Sequence, residues 1–195
     1  MPEVVPRWEW RAFGTDFGAA EERIVAGEQT RAVESGEVYI ISRHSNVNVK
    51  AREGVLNVKV LLRVNEETLE QWTPALKALF RLDPETVMET LRMLHATRTP
   101  HVEGTYSLER FVSELVSRDE NLLAVHVTKQ RTCHSVNGCK AEIADLMVDG
   151  VPIRTAAVEH ENPRLVALTV QMLGLKGLEN VNYIRGLKRL KGWEA

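Results

Sequence analysis

Residues 7 to 13 alternate charged side chains with aromatic or small ones, the period-two signature of a strand. The same signature returns at Glu37 to Arg43, Val47 to Arg52 and Leu56 to Arg63. Between the last two stands Glu53-Gly54, an acidic residue followed by glycine, which reads as a hairpin turn. Further strands are expected over Leu123 to Cys133, Ala141 to Val148 and Thr155 to Glu161. Asn137-Gly138 separates the first two of these and is the strongest hairpin signal in the chain.

Helical spacing appears between and after these strands. Ala19 to Glu34 reads weakly as helix or loop. Asn65 is placed to cap a helix through Leu69, Trp72, Leu76 and Leu79, kinked at Pro74. Asp83-Pro84 is a capping residue followed by proline at the first helical position, and Val87, Leu91 and Leu94 continue that helix. Leu108 to Val116 predicts a short helix. Asn162-Pro163 opens another through Leu168 and Met172, with Gly174 as its stop, and a last one runs from Asn180 to Leu190.

Folding the two hairpins on paper shows where the charges point. A two-residue turn at Glu53-Gly54 sets Arg52 against Val55, Lys50 against Asn57 and Asn48 against Lys59, all on one side of the sheet. The other side carries Val47, Val49 and Ala51 against Val60, Val58 and Leu56. The Asn137-Gly138 turn sets Cys133 against Glu142 and Arg131 against Ala144, so Lys129, Arg131 and Glu142 share a face. It also separates Cys133 from Cys139 in the ladder and disfavours a disulfide. Arg7, Glu9 and Arg11 share a face opposite Trp8, Trp10 and Ala12, and Glu159 and Glu161 lie opposite Val158 and His160.

A solvated sheet face usually mixes signs, whereas here the signs are sorted by strand. The opposite faces are rich in Trp, Val and Leu and call for helical partners. Together these features predict an α+β fold, an eight-stranded antiparallel β-barrel with helices packed outside and the charged rows in its lumen. Clustered Lys and Arg in such a lumen call for an elongated polyanion, because like charges held close in a low dielectric repel strongly. The carboxylates call for a hard divalent cation with oxygen ligands.

At 195 residues the chain is expected to form one domain. The composition, 44% hydrophobic and 27% charged, is that of an ordinary soluble protein, and the net charge of −2 argues against nonspecific nucleic-acid binding. Arg7, Glu9 and Arg11 interrupt the first apolar stretch, so no signal peptide is expected. No apolar run approaches the ~20 residues that cross a bilayer. A cytoplasmic protein with two free thiols, no membrane and no nucleic-acid partner is the expectation.

The order of motifs resembles the CYTH domain, or triphosphate-tunnel family, over nearly the whole chain. That family includes thiamine triphosphatases, inorganic triphosphatases and class IV adenylate cyclases. Its opening Glu-x-Glu-x-Lys strand is matched by Arg7-Trp8-Glu9-Trp10-Arg11, its basic-x-basic strand by Lys50-Ala51-Arg52, and its next lysine by Lys59. Lys129 and Arg131 match a further basic pair, Glu142 the acidic residue after the second hairpin, and Glu159-His160-Glu161 the Glu-x-Glu strand. Tyr183 and Lys188 match a C-terminal helix with tyrosine and a later basic residue.

The resemblance implies Mg²⁺- or Mn²⁺-dependent hydrolysis of a triphosphate-containing small molecule; monomer and homodimer both stay open. In that scheme Arg11, Lys50, Arg52, Lys59, Lys129, Arg131 and Lys188 hold phosphate oxygens, while Glu9, Glu142, Glu159 and Glu161 hold metal and position water. The departure is Arg7, which stands where the family has its first Glu. Two alternatives remain open: a nucleotidyl cyclase, and a polyphosphate- or nucleotide-binding module with little turnover. A zinc site at Cys133, His134 and Cys139 is disfavoured because four ligands at known spacings are needed.

Overall fold

The computed structural model describes residues 5–98 and 100–194. Eight antiparallel strands close a barrel in the order β1-β5-β4-β3-β2-β6-β7-β8, with β8 returning to β1. They are β1 (Arg7–Gly14), β2 (Glu28–Ser42), β3 (Asn48–Arg52), β4 (Val55–Val64), β5 (Glu70–Leu79), β6 (Leu122–Val136), β7 (Cys139–Val148) and β8 (Val151–His160). The helices are α1 (Ala19–Val25), α2 (Pro84–Met93), α3 (Leu108–Glu114), α4 (Pro163–Leu173) and α5 (Tyr183–Leu190).

Three tight turns set the register. Glu53-Gly54, Asn137-Gly138 and Asp149-Gly150 all have positive φ at both central residues, the backbone that matches strand twist. Arg52 accordingly pairs with Val55, Lys50 with Asn57 and Asn48 with Lys59. Cys133 pairs with Glu142 and Arg131 with Ala144, and both cysteines are free thiols.

The expected helix after Asn65 is a strand instead. The Asn65 side chain accepts from the Glu67 and Leu69 amides and closes a turn into β5. Pro74 sits at a register shift between β4 and β5, where a missing amide hydrogen is tolerated. The charged stretch from Ala19 divides into α1 and the first part of the fifteen-residue strand β2, which pairs as far as Glu28 with Ser135. Strand β8 begins earlier than expected, at Val151, and ends at His160, leaving Glu161 outside it.

Alternation sends one side of every strand outward under helices and the other into the lumen. Trp8, Trp10 and Ala12 pack with Ile24 of α1 and Val166 and Val170 of α4. Val49, Leu56 and Val58 pack with Val87 and Leu91 of α2 and Phe111 of α3. The third apolar cluster is internal. Tyr39, Ile41, Val125, Val127 and Leu146 meet Tyr183, Ile184 and Leu187, so α5 fills one end of the barrel. No described helix is long and apolar enough to cross a membrane.

Helix α5 is seated closely. A Cβ at Gly186 would lie 2.3 to 2.7 Å from three ring atoms of Phe13. Gly186→Ala gains about 1 kcal/mol of helix propensity and loses about 1–3 kcal/mol to overpacking. The expected net outcome is lower stability in urea unfolding; an unchanged or raised midpoint would show that Phe13 yields freely.

Candidate functional site

The lumen is built in layers by cross-strand pairing. At the open mouth, Glu70 of β5, Glu9 of β1, Glu159 of β8 and Lys140 of β7 stand in one continuous row of direct neighbours. Such neighbours hold their Cβ atoms ~5 Å apart, so the row carries acidic residues on three successive strands; the Glu70 carboxylate is taken by Trp72 and Asn182 and that of Glu9 by Arg11. Arg7 binds Glu159 at 3.2 Å and Lys140 binds it at 3.3 Å. A cavity of about 200 Å³ opens at this level, lined by Arg7, Glu9, Lys59, Trp72, Pro74 and Glu159.

One layer deeper, Arg11 lies in a row with Ala157, Glu142 and Cys133. Ala157 is small enough that Arg11 reaches past it to Glu142, at 3.4 Å, while also binding Glu9 at 2.8 Å. Arg131 approaches Glu142 from the other side at 3.2 Å. Burial alone would push the Glu142 carboxyl up, but Arg11, Lys129, Lys140 and Arg131 hold it down at about 2.

Beside this layer lies Glu37, whose side chain has no exposed surface. Its carboxylate receives Lys129 at 3.2 Å, Lys50 at 3.4 Å and Arg52 at 3.5 Å. The Tyr39 hydroxyl donates to it at 2.7 Å. Burial favours the neutral acid, yet Lys129, Lys50 and Tyr39 hold Glu37 at about 2. Burial lowers Lys129 to about 8, with Glu37 opposing the shift. The Tyr183 ring stacks on Tyr39 at 4.8 Å and lies 4.3 Å from the Lys129 ammonium, so the floor of this cluster is aromatic.

Two buried polar atoms flanking Lys129 have no partner. Ser35 Oγ is on the residue directly across from Lys129, and Arg131 Nε is two positions along β6. Buried polar groups are ordinarily paired, so these two atoms mark where the lumen wall has hydrogen-bonding capacity to spare.

The lumen therefore brings together Glu9, Arg11, Lys50, Arg52, Lys59, Lys129, Arg131, Glu142 and Glu159. It does not bring in two others expected there. Lys188 is buried on the same face of α5 as Ile184, one turn away, but its ammonium turns to Asn46 at 2.6 Å and Glu194 at 3.5 Å rather than to a lumen carboxylate. Glu161 is exposed, one residue beyond the end of β8. Two lumen carboxylates escaped the sequence reading. Glu70 was hidden by the helical reading of β5, and Glu37 by its position in an otherwise apolar strand.

Among the described residues no three Asp, Glu, His or Cys side chains converge in metal-binding geometry, the Cys133-His134-Cys139 stretch included. The donor set of the mouth row is nevertheless all oxygen, which suits Mg²⁺ or Mn²⁺. Burial raises the Glu70 carboxyl, against the lowering effect of hydrogen bonds from Asn182 and Trp72, and the Glu9 charge adds a smaller push upwards.

No family model matches the chain, and no curated protein matches it. Solved structures do. One is a conserved hypothetical protein from Pyrococcus furiosus, 16% identical, with a TM-score of 0.51, matched over 91% of this chain and 98% of that one. Another, from Hippeastrum, is described as an adenylyl cyclase candidate with a dominant triphosphatase activity; it is 12% identical, with a TM-score of 0.51, over 95% of this chain and 96% of its own. The fold is shared. At these identities the likeness extends to the closed barrel and its helices.

The carboxyls held at about 2 carry a stability consequence. Their folded values lie below the ordinary 4.5, so the stabilisation is present above pH 4.5 and is lost as pH falls towards 2. Glu142→Gln should cost on the order of 3 kcal/mol, because it leaves Arg11 and Arg131 buried without their shared partner. It should also flatten the acid limb. Urea midpoints at pH 6 and pH 3 check both; an acid limb as steep as wild type would assign it to other groups.

Proposed function

We propose that the chain is a divergent member of the CYTH, or triphosphate-tunnel, family and hydrolyses a small triphosphate with the help of Mg²⁺ or Mn²⁺. The observation that carries this reading is the cation excess in the lumen. Lys50, Arg52, Lys129, Arg11 and Arg131, five cations, converge on three carboxylates: the buried Glu37 and Glu142, and Glu9, which pairs with Arg11. Such an excess in a low dielectric is relieved by an anion, and the narrow, one-ended lumen suits a linear one. The shared barrel of a protein described as having triphosphatase activity supports the same reading.

In this reading the arginines take phosphate oxygens in pairs, and Lys50, Lys129 and Lys59 add point charge. Ser35 Oγ and Arg131 Nε gain the partners they lack. Glu9, Glu70 and Glu159 are the residues that would hold the metal; Glu142 serves instead as counter-ion to Arg11 and Arg131. A bound divalent cation supplies charge neutralisation on the phosphate oxygens and polarisation of water. Arg7 holds Glu159 at the mouth and competes with a cation for it.

A second reading, binding with little turnover, is favoured by one observation. Glu159 and Glu9 are each engaged by an arginine, so the mouth row is partly neutralised without metal. Phosphate release from inorganic triphosphate, thiamine triphosphate and ATP, with and without Mg²⁺ or Mn²⁺, separates the two. The expected result is metal-dependent release, reduced at least ~100-fold in Glu159→Gln with metal-free triphosphate binding retained. Arg52→Glu should weaken triphosphate binding by at least ~100-fold. Thermal stabilisation by triphosphate without release would establish the binding module, and a cyclic nucleotide from ATP would establish a cyclase. No release and no stabilisation would overturn the phosphate reading.

A further inference from the structure

The basic cluster of this lumen does not project into empty space. Lys50 and Arg52 of β3 and Lys129 of β6 all turn onto one protein carboxylate. Both Glu37 oxygens are taken: Oε1 by Lys50 and Arg52, Oε2 by Lys129 and Tyr39. A carboxylate offers cations two oxygens and one negative charge, much as one edge of a phosphoryl group does. Glu37 cannot swing away, because Tyr39 pins it and the stacked Tyr39–Tyr183 pair lies beneath. Any phosphoryl group that reaches these three cations shares them with a fixed anion.

We propose that Glu37 is a specificity-determining residue: a built-in anion that forms the floor of the lumen and limits the depth and charge of the ligand the basic cluster accepts. The inference rests on the phosphate reading above and deepens it. Glu37 has two effects of opposite sign on a ligand. It gathers Lys50, Arg52 and Lys129 into one cluster, which favours binding. It also repels the terminal phosphoryl group, and that penalty grows with ligand charge. The repulsion dominates, because cross-strand pairing keeps the Lys50 and Lys129 stems on the lumen face with or without Glu37.

The test is calorimetric titration at pH 6.5, with chelator and no divalent metal, of wild type, Glu37→Gln and Glu37→Asp. The probes are orthophosphate, diphosphate and triphosphate. Glu37→Gln keeps size and an acceptor for Tyr39 but removes the charge. It should bind triphosphate about tenfold tighter than wild type, with a smaller gain for diphosphate and the least for orthophosphate. Glu37→Asp keeps the charge and should show no gain.

Wild-type binding of triphosphate with no tightening in Glu37→Gln would overturn the proposal and leave the phosphate reading intact. Equal tightening in Glu37→Asp would overturn it as well, since space rather than charge would then set the limit. Binding by none of the three proteins would sink the phosphate reading and the proposal with it. Binding by Glu37→Gln alone would support the proposal in its strongest form, a lumen held shut by its own anion. If Glu37→Gln does not fold in plain buffer, thermal unfolding with added triphosphate replaces titration. A larger stabilisation than in wild type is then expected, and an equal or smaller one would overturn the proposal.

Discussion

A carboxylate with no exposed surface, drawn on by three cations, is the constraint around which this barrel is organised. Removing a charge from water costs several kcal/mol per ion, and only close, multiple partners offset it. Glu37 and Glu142 meet that condition, each with two or more basic partners within 3.5 Å. Buried ion clusters of this kind are weak stabilisers; well-packed apolar residues in their place are often no worse. Stability alone therefore does not account for their presence in the lumen.

The rest of the fold makes such a lumen affordable. Burial outside the barrel is conventional: two helical layers cover the outward faces, with Trp8 and Trp10 on one side and Val49 and Leu56 on the other. Those layers supply the apolar burial that the interior gives up. Inside, β6 changes character along its length. Val125 and Val127 meet α5, while Lys129 and Arg131, on the same face, meet carboxylates. One strand thus serves as core at one end and as site at the other. Helix α5 is the dividing wall, tied to β1 through Asn180 and Val181 and to Glu70 through Asn182.

The sequence made the hairpin registers legible because two-residue turns leave one pairing, and period-two alternation then assigns every side chain to a face. That logic located Lys50, Arg52, Lys129, Arg131 and Glu142 in the lumen. It failed where local signals pointed elsewhere. Leu69, Trp72, Leu76 and Leu79 mimic a helical stripe, but β5 is fixed by its neighbours β1 and β4, which no local window contains. With β5 misread, Glu70 vanished from the site. The partners of Lys188 were illegible for a related reason: Asn46 comes from the loop before β3 and Glu194 from beyond α5, and only the folded chain brings them to its ammonium.

The correct placement of β5 changes the meaning of Arg7. Taken from the motif alone, Arg7 deletes a carboxylate and leaves Glu9 as the one acid on β1. In the folded barrel Arg7 stands opposite Trp72, at the rim, while Glu9 stands opposite Glu70. The acidic row therefore runs Glu70–Glu9–Glu159, and Arg7 lies one lumen-facing step outside it. Its guanidinium reaches back to Glu159 from a side chain that is half exposed, 52%. An ion pair with so exposed a partner contributes little and is readily exchanged for another cation. The change at position 7 is thus a change at the rim, and the acidic residues of β5, β1 and β8 remain in one row beneath it. Arg7 is better understood as an exposed counter-charge at the rim of an acidic row than as the residue that abolishes it.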